Sequence, residues 1–254
     1  MLCARRARVR GLLNAAAHHD KTRGKYGRIP LPRSKKNNRK RRAVQMITEE
    51  ILDLLRIKVK SYVNERTYSH ILGVEREAAS LADIYLPEGE RNKARAAALL
   101  HDITKNETVE KQLQYCREFG IILGVDPLSP KLYHSKTAAV LIERDFPEFA
   151  DPEIVSAVRW HTTGRDNMTV FEAIIYLADY IEDTRTYDDC IKLRRYFYDG
   201  ISHLSSAEDK IFHLYKTMVK SFNYTMTVLM EENALIDEDT LRCRNYYLRK
   251  IKYN

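Results

Sequence analysis

Glycine and proline are scarce in this sequence, with nine and seven among 254 residues. Alanine, leucine, glutamate, lysine and arginine, which favour helices over strands and turns, are abundant instead, so the composition predicts an all-α protein. Long apolar runs are also missing, because the stretches at 96–100 and 138–142 fall far short of the roughly 18 residues that a membrane-spanning helix requires. We therefore expect no integral membrane segment.

Cysteine is equally sparse. The four cysteines, Cys3, Cys116, Cys190 and Cys243, stand far apart, with neither the close pairing of a zinc site nor the density of a disulfide scaffold. Scattered single cysteines are typical of reduced, buried thiols, so we expect a cytoplasmic protein.

Acidic residues are almost absent from residues 1–45, where fifteen Lys and Arg face a single acid, Asp20. The formal charge of the whole chain is +8, which is smaller than the excess of basic over acidic residues in this segment. The rest of the chain is therefore mildly acidic. This segment has no helical period and contains the basic block 35–42, which predicts a disordered tail. A targeting peptide, a nucleic-acid-binding arm and an extension upstream of a true start at Met46 all remain open, and the last is favoured.

From Met46 onward, apolar residues recur at helical spacing, and Thr48 is a good N-cap for the first helix. Turn signals rich in glycine and proline separate the apolar stripes. The predicted helices span 48–63, 66–85, 90–102, 107–119, 134–146, 151–161, 169–183, 187–198, 206–232 and 237–250.

Six residues in or at the ends of these helices could carry chemistry: His70, His101, Asp102, His134, His161 and Asp179. Three of them, His70, His101 and Asp179, fall on the apolar faces of their helices and should point inward. A buried carboxylate without a partner costs several kcal/mol, so Asp179 requires a cation, a metal ion or a hydrogen-bond network. Imidazole nitrogen and carboxylate oxygen together suit divalent iron, manganese, cobalt, nickel or zinc.

The order His, His-Asp, His, His, Asp resembles the HD-domain phosphohydrolase superfamily. The segments SHILGV, ALLHDITK, HSKTAAVLI, RWHTTG and LADYIEDTR are similar to the bacterial YqeK family, which hydrolyses diadenosine tetraphosphate symmetrically to two ADP. The resemblance runs from about residue 66 to 248. It implies an HD-domain helical bundle over 46–254, with C-terminal helices packed on its core, and leaves the tail 1–45 unexplained.

The resemblance also implies a binuclear iron site in which Asp102 bridges the two ions. One ion would be held by His70, His101, Asp102 and Asp179. The other would be held by Asp102, His134 and His161. Such a pair activates water for attack on phosphorus. The spacing of the ligands alone also permits manganese, cobalt or zinc.

Basic and hydroxyl side chains near these ligands are candidates for binding the polyphosphate. Lys105 is well spaced from Asp102 to reach the phosphates or to protonate the leaving group. Arg165 and Arg185 are further candidates, although Arg185 is equally compatible with an ion pair at a helix end. Thr162 and Thr163 could contact a phosphate or nucleoside, or could simply form a tight turn.

The sequence is also compatible with other functions. Another nucleotide phosphohydrolase or phosphodiesterase of the HD class would use the same ligands, and a nucleotide- or RNA-binding regulator would depend on the basic tail. The adenine-stacking ring cannot be chosen among Trp160 and the sixteen tyrosines. The apolar stripe of the long final helices predicts packing against the core or against a second subunit in a homodimer.

Overall fold

A computed structural model of the chain describes residues 46–121 and 130–253, and in these ranges it is all-α, as predicted. The ten predicted helices all occur, with ends within three residues of the predicted ones. They are α1 (Glu49–Lys60), α2 (Glu65–Tyr85), α3 (Arg91–Leu100), α4 (Val109–Glu118), α5 (Tyr133–Asp145), α6 (Pro152–Trp160), α7 (Val170–Ile181), α8 (Asp188–Ile201), α9 (Ala207–Glu231) and α10 (Glu238–Tyr253). The predictions for residues 1–45 lie outside the described residues.

Short polar side chains begin most of these helices by accepting a hydrogen bond from a first-turn amide. The residues that do so are Thr48, Asn64, Thr108, Asp151, Thr169 and Ser206. At α7 the arrangement is reciprocal, because Glu172 also accepts from the Thr169 amide. Each such cap stabilises its helix by about 1 kcal/mol and fixes where the helix starts.

Helix α2 lies at the centre of the fold and packs against α3 and α7. Helix α7 also packs against α6, which in turn packs against α5. The helices meet through fully buried apolar residues such as Val74, Leu99 and Ile175. Within the described ranges, each helix is too short or too polar to cross a lipid bilayer. Cys116, Cys190 and Cys243 are buried free thiols, as predicted.

The last two helices close over the loop that follows α6. Gly164 in this loop has φ +66°, a conformation that favours glycine. A Cβ there would come 2.6 Å from Cys243 Sγ in α10 and 3.0 Å from the Phe222 ring in α9. This close approach fixes the loop at the end of α6, and association of these helices into a dimer stays a prediction.

Glu77 on α2 is half-buried, and its Oε1 accepts a 2.5 Å hydrogen bond from the hydroxyl of Tyr198 on α8. Burial raises the pKa of Glu77 from 4.5 to about 7. The folded state therefore holds this proton at pH values where the unfolded chain has released it. The free energy of unfolding must fall as the pH rises from 4.5 to 7 on account of this group.

We expect Glu77→Gln to remove this pH-dependent loss of stability, because glutamine stays neutral and its oxygen can still accept a hydrogen bond from Tyr198. The variant should be more stable than the parent above pH 7, by on the order of 2 kcal/mol, with little difference below about pH 5. Urea unfolding of both proteins at the two pH values measures this. The exposed Glu88→Gln is the matched control. If the free energies of unfolding of the parent and Glu77→Gln differ by the same amount at both pH values, the raised pKa of Glu77 is contradicted.

Candidate metal centre

Six polar side chains, in or directly after five helices, meet at the centre of the fold. They are His70 in α2, His101 and Asp102 after α3, His134 in α5, His161 after α6, and Asp179 in α7. These residues form three overlapping groups, and within each group the donor atoms lie within 4.8 Å of one another. The six side chains singled out in the sequence thus share one site, although their roles as ligands stay a prediction.

Asp102 stands between two sets of histidines, and its two carboxylate oxygens face different sets. Oδ2 lies 3.3 Å from His101 Nε2 and 3.7 Å from His70 Nε2. Oδ1 lies 3.1 Å from His134 Nε2 and 3.6 Å from His161 Nε2. A carboxylate with this orientation can donate one oxygen to each of two neighbouring cations.

The orientation of three imidazoles is set by the backbone. His101 Nδ1 lies 2.6 Å from Ala98 O, and the corresponding nitrogens of His134 and His161 each lie 2.7 Å from the carbonyl three residues earlier. A carbonyl only accepts, so each Nδ1 carries the hydrogen and each Nε2 points into the site, where the lone pair of a neutral ring can bind a cation. Burial lowers the pKa of His161 to about 4, which keeps that ring neutral at pH 7.

These lone pairs suit a metal ion. The Nε2 atoms of His134 and His161 are only 3.1 Å apart, so two acceptors face each other beside a carboxylate. His101 Nε2 is buried and makes no hydrogen bond in the described structure, although Asp102 lies close by. Buried polar atoms normally have partners. A cation between these nitrogens and the Asp102 oxygens would satisfy all of them, so the residues present fit a divalent metal.

His70 is oriented differently, by a side chain that the sequence did not single out. Its Nδ1 lies 3.0 Å from Oε1 of the buried Glu182, and its Nε2 lies 2.9 Å from Asp179 Oδ1. Burial alone lowers the pKa of His70, but the hydrogen bonds to Asp179 and Glu182 raise it to about 9. A carboxylate that holds the distal nitrogen of a histidine ligand is a common support for metal sites.

Asp179 faces both His70 and a guanidinium. Arg185 donates from Nη2 to Asp179 Oδ1 and from Nε to the Asp179 carbonyl, the latter at 2.5 Å. Burial raises the pKa of Asp179, but Arg185 and His70 hold it well below its usual range. Burial likewise opposes ionisation of Asp102, yet His101, Lys105 and His134 keep its pKa low. Both carboxylates are thus ionised and able to bind cations.

A cavity of about 700 Å³ opens onto this centre. His70 and Asp102 form part of its lining, and Arg66, Lys105 and Arg185 supply three basic groups around them. Ligand pockets commonly have volumes of roughly 300–1,000 Å³. The cavity thus combines room for a nucleotide-sized ligand with positive charge next to the candidate metal site.

Comparison with known proteins identifies the family. The HD domain family matches residues 67–184, a range that includes all six residues of the centre. The bis(5'-nucleosyl)-tetraphosphatase, symmetrical, of Staphylococcus aureus is 32% identical over 190 residues, which cover 74% of this chain and 90% of that protein. The chain belongs to the YqeK family of HD-domain phosphohydrolases.

Further relatives of this YqeK-family chain support its assignment to the HD-domain phosphohydrolases. The Bacillus subtilis protein of the same name is 30% identical over 188 residues, covering 74% of this chain and 92% of that protein. A crystal structure from Clostridium acetobutylicum, described as that of a predicted HD superfamily hydrolase involved in NAD metabolism, is 31% identical with a TM-score of 0.67. It covers 78% of this chain and 97% of the other. The YqeK-family chain is thus a metal-dependent phosphohydrolase.

The residues predicted to bind substrate lie in different surroundings in this YqeK-family fold. Lys105 and Arg185 line the cavity, and Thr162 Oγ1 lies 3.4 Å from His134 Nε2 at the centre. Thr163 is buried and its hydroxyl donates to the Gly164 carbonyl. Arg165 is absent from the cavity lining and forms an ion pair with the buried carboxylate of Glu172.

The contact between Arg165 and Glu172 is close, with Nη2 2.8 Å from Oε2. The same Glu172 caps α7, so Arg165 stabilises the loop after His161 in the described structure. Substrate contacts by all five residues stay predictions, and of the five, Lys105 and Arg185 line the cavity.

Proposed function

We propose that this enzyme hydrolyses diadenosine tetraphosphate and related dinucleoside polyphosphates symmetrically, to two nucleoside diphosphates. The observation that carries the proposal is Asp102, shared between two histidine sets beside a cavity lined by basic residues. The relatives named symmetrical bis(5'-nucleosyl)-tetraphosphatases support the substrate class. A polyphosphate carries several negative charges, and this site offers the cations to neutralise them.

The ligand sets proposed for the two metal ions follow the directions of the Asp102 oxygens. His70, His101, Asp102 and Asp179 would hold one ion, and Asp102, His134 and His161 the other. When bound, the pair polarises a phosphoryl oxygen and lowers the pKa of water from 15.7 toward about 7. We propose iron on the resemblance to the family, and the nitrogen and oxygen donors also suit manganese, cobalt or zinc.

Two basic residues of the chain would act on the phosphates directly. Lys105 Nζ lies 3.5 Å from Asp102 Oδ1 and 3.3 Å from His134 Nε2, and its side chain is 43% exposed and lines the cavity. It can therefore neutralise the charge that develops on the leaving nucleoside diphosphate. Arg185 is held by Asp179 and can orient an outer phosphate while its charge balances that carboxylate.

The test is to incubate the purified chain and ferrous iron with diadenosine tetraphosphate and to separate the products by chromatography. Two ADP, lost on addition of a chelator, are expected. ATP with AMP, or no cleavage, would contradict the proposal. NAD belongs in the same panel, because the Clostridium acetobutylicum hydrolase is described as involved in NAD metabolism.

Cleavage of NAD or of cyclic dinucleotides in place of the tetraphosphate would assign a different HD-class reaction to the same metal centre. A regulator that binds nucleic acid through residues 1–45 is separated from all of these by deletion. Hydrolysis should survive removal of the segment, whereas a regulator's activity should depend on it.

A further inference from the structure

The outer wall of the cavity carries an aromatic ring exposed to solvent. Tyr187, the residue before α8, is 61% exposed and lines the same cavity as Asp102 and Lys105. Its ring stacks on no other aromatic ring among the described residues. A large ring left in water at the entrance of a ligand cavity has an apolar face available for a ligand.

A basic side chain with no ion-pair partner among the described residues lines the same cavity. Arg66, near the start of α2, is exposed and forms no ion pair within the described ranges. Its neighbour Glu65 is directed instead to Lys60, at 3.0 Å. The other two basic groups of the cavity are already engaged, Arg185 with Asp179 and Lys105 with Asp102. Arg66 is thus free to bind an anionic ligand.

The backbone that carries Tyr187 is held in place. Arg194 on α8 donates from Nε to the Ile181 carbonyl at 2.5 Å and from Nη2 to the Arg185 carbonyl at 3.0 Å. These bonds fix the segment between α7 and α8. A ring on a fixed segment can bind a planar ligand without first paying the entropy of ordering a loop.

The segment that carries Arg66 is also held in place. The Asn64 amide donates to Asn106 Oδ1 at 2.8 Å, and the Asn64 side chain caps α2 at the Thr67 amide. The start of α2, which carries Arg66, is thereby tied to the segment after Lys105. The ring and the guanidinium thus extend from two anchored backbone segments that line one cavity.

We propose that Tyr187 and Arg66 form a nucleoside-phosphate subsite at the cavity entrance, outside the metal centre. The Tyr187 ring stacks on a nucleobase, since every base offers a flat face to an aromatic side chain. The Arg66 guanidinium binds a phosphate of the same nucleotide through its planar fork of donors. This rests on the proposed function and identifies the groups that would distinguish a nucleotide from a bare polyphosphate.

The test compares ADP with pyrophosphate, which has the same phosphate linkage without the nucleoside. Calorimetric titration of the Mn²⁺-loaded full-length chain should give about tenfold weaker binding of ADP to Tyr187→Ala, and unchanged binding of pyrophosphate. Tyr187→Phe, which keeps the ring, should bind ADP as the parent does. Arg66→Ala should weaken the binding of both ligands. Tyr253→Ala, at an exposed ring of α10, is the matched control.

The subsite is wrong if Tyr187→Ala, with a normal melting temperature, binds ADP as tightly as the parent, or if it loses pyrophosphate equally. Product analysis with diadenosine tetraphosphate is run on the same preparations. Release of two ADP by the parent together with full ADP affinity of Tyr187→Ala would overturn the subsite alone. Failure of the parent both to cleave the tetraphosphate and to bind ADP would overturn the proposed function and the subsite with it.

Discussion

Asp102→Asn is expected to lower hydrolysis by roughly a thousandfold or more, which corresponds to a loss of about 4 kcal/mol of transition-state stabilisation. The reason is geometric, because each oxygen of this buried carboxylate faces its own pair of histidines. Asparagine keeps the shape but replaces one anionic oxygen with an amide nitrogen, which cannot bind a metal ion. The metal content of the purified chain should fall from two ions to at most one.

Elemental analysis and initial rates, measured on the same samples, test this expectation. Asp83→Asn provides the matched control, since that carboxylate is exposed on α2 and pairs with Arg91 at 3.1 Å. It should leave metal content and rate unchanged. An Asp102→Asn chain that kept two ions and more than a few per cent of the activity would exclude a bridging role for this carboxylate.

Gly73→Ala is expected to lower activity or metal affinity by about 10- to 100-fold without harming the helix. Gly73 lies three residues after His70 on α2, where a Cβ would overlap Oε2 of Glu182 and come 3.0 Å from its Cδ. The displaced carboxylate could no longer hold His70 Nδ1. In an ordinary helix interior, alanine is more favourable than glycine by about 1 kcal/mol, so loss of function with retained helicity would be diagnostic.

A shorter carboxylate side chain at position 182 provides a second test of this contact. Glu182→Asp alone should impair the enzyme, because the shorter side chain reaches His70 poorly. In the double variant, Gly73→Ala should add little further loss, since aspartate leaves room for the new methyl group. Steady-state rates of the four proteins measure this coupling. Fully additive losses would show that Gly73 acts independently of Glu182.

Helix positions could be predicted from the sequence because their signals are local. Thr48 and Thr169 each cap a helix within three residues along the chain, and these interactions require no knowledge of tertiary structure. The gathering of distant polar residues could also be anticipated, because His70 and Asp179 fall on the apolar stripes of their own helices. A side chain on the buried face of an amphipathic helix must enter the common core.

The supporting contacts could not be predicted, because they depend on how the helices pack. Glu182 meets His70 across 112 positions of sequence, and nothing in its local pattern distinguishes it from a surface acid. Arg185 pairs with Asp179 and Glu182 with His70, and because α7 ends at Ile181, Glu182 and Arg185 do not share a helix face. The exposure of Tyr187 at the cavity, likewise, follows from the position of the segment between α7 and α8.

The carbonyl contacts of His101, His134 and His161 bear on how this site can evolve. In each case the partner of Nδ1 is a main-chain oxygen three residues earlier, so no point substitution can delete it while the local backbone keeps its conformation. Among the four histidines of the centre, His70 alone has a side chain of the described ranges, that of Glu182, as the partner of its Nδ1. Natural variation in metal preference within this lineage should therefore accumulate around α2 and the end of α7, and leave the other three histidines with the same surroundings.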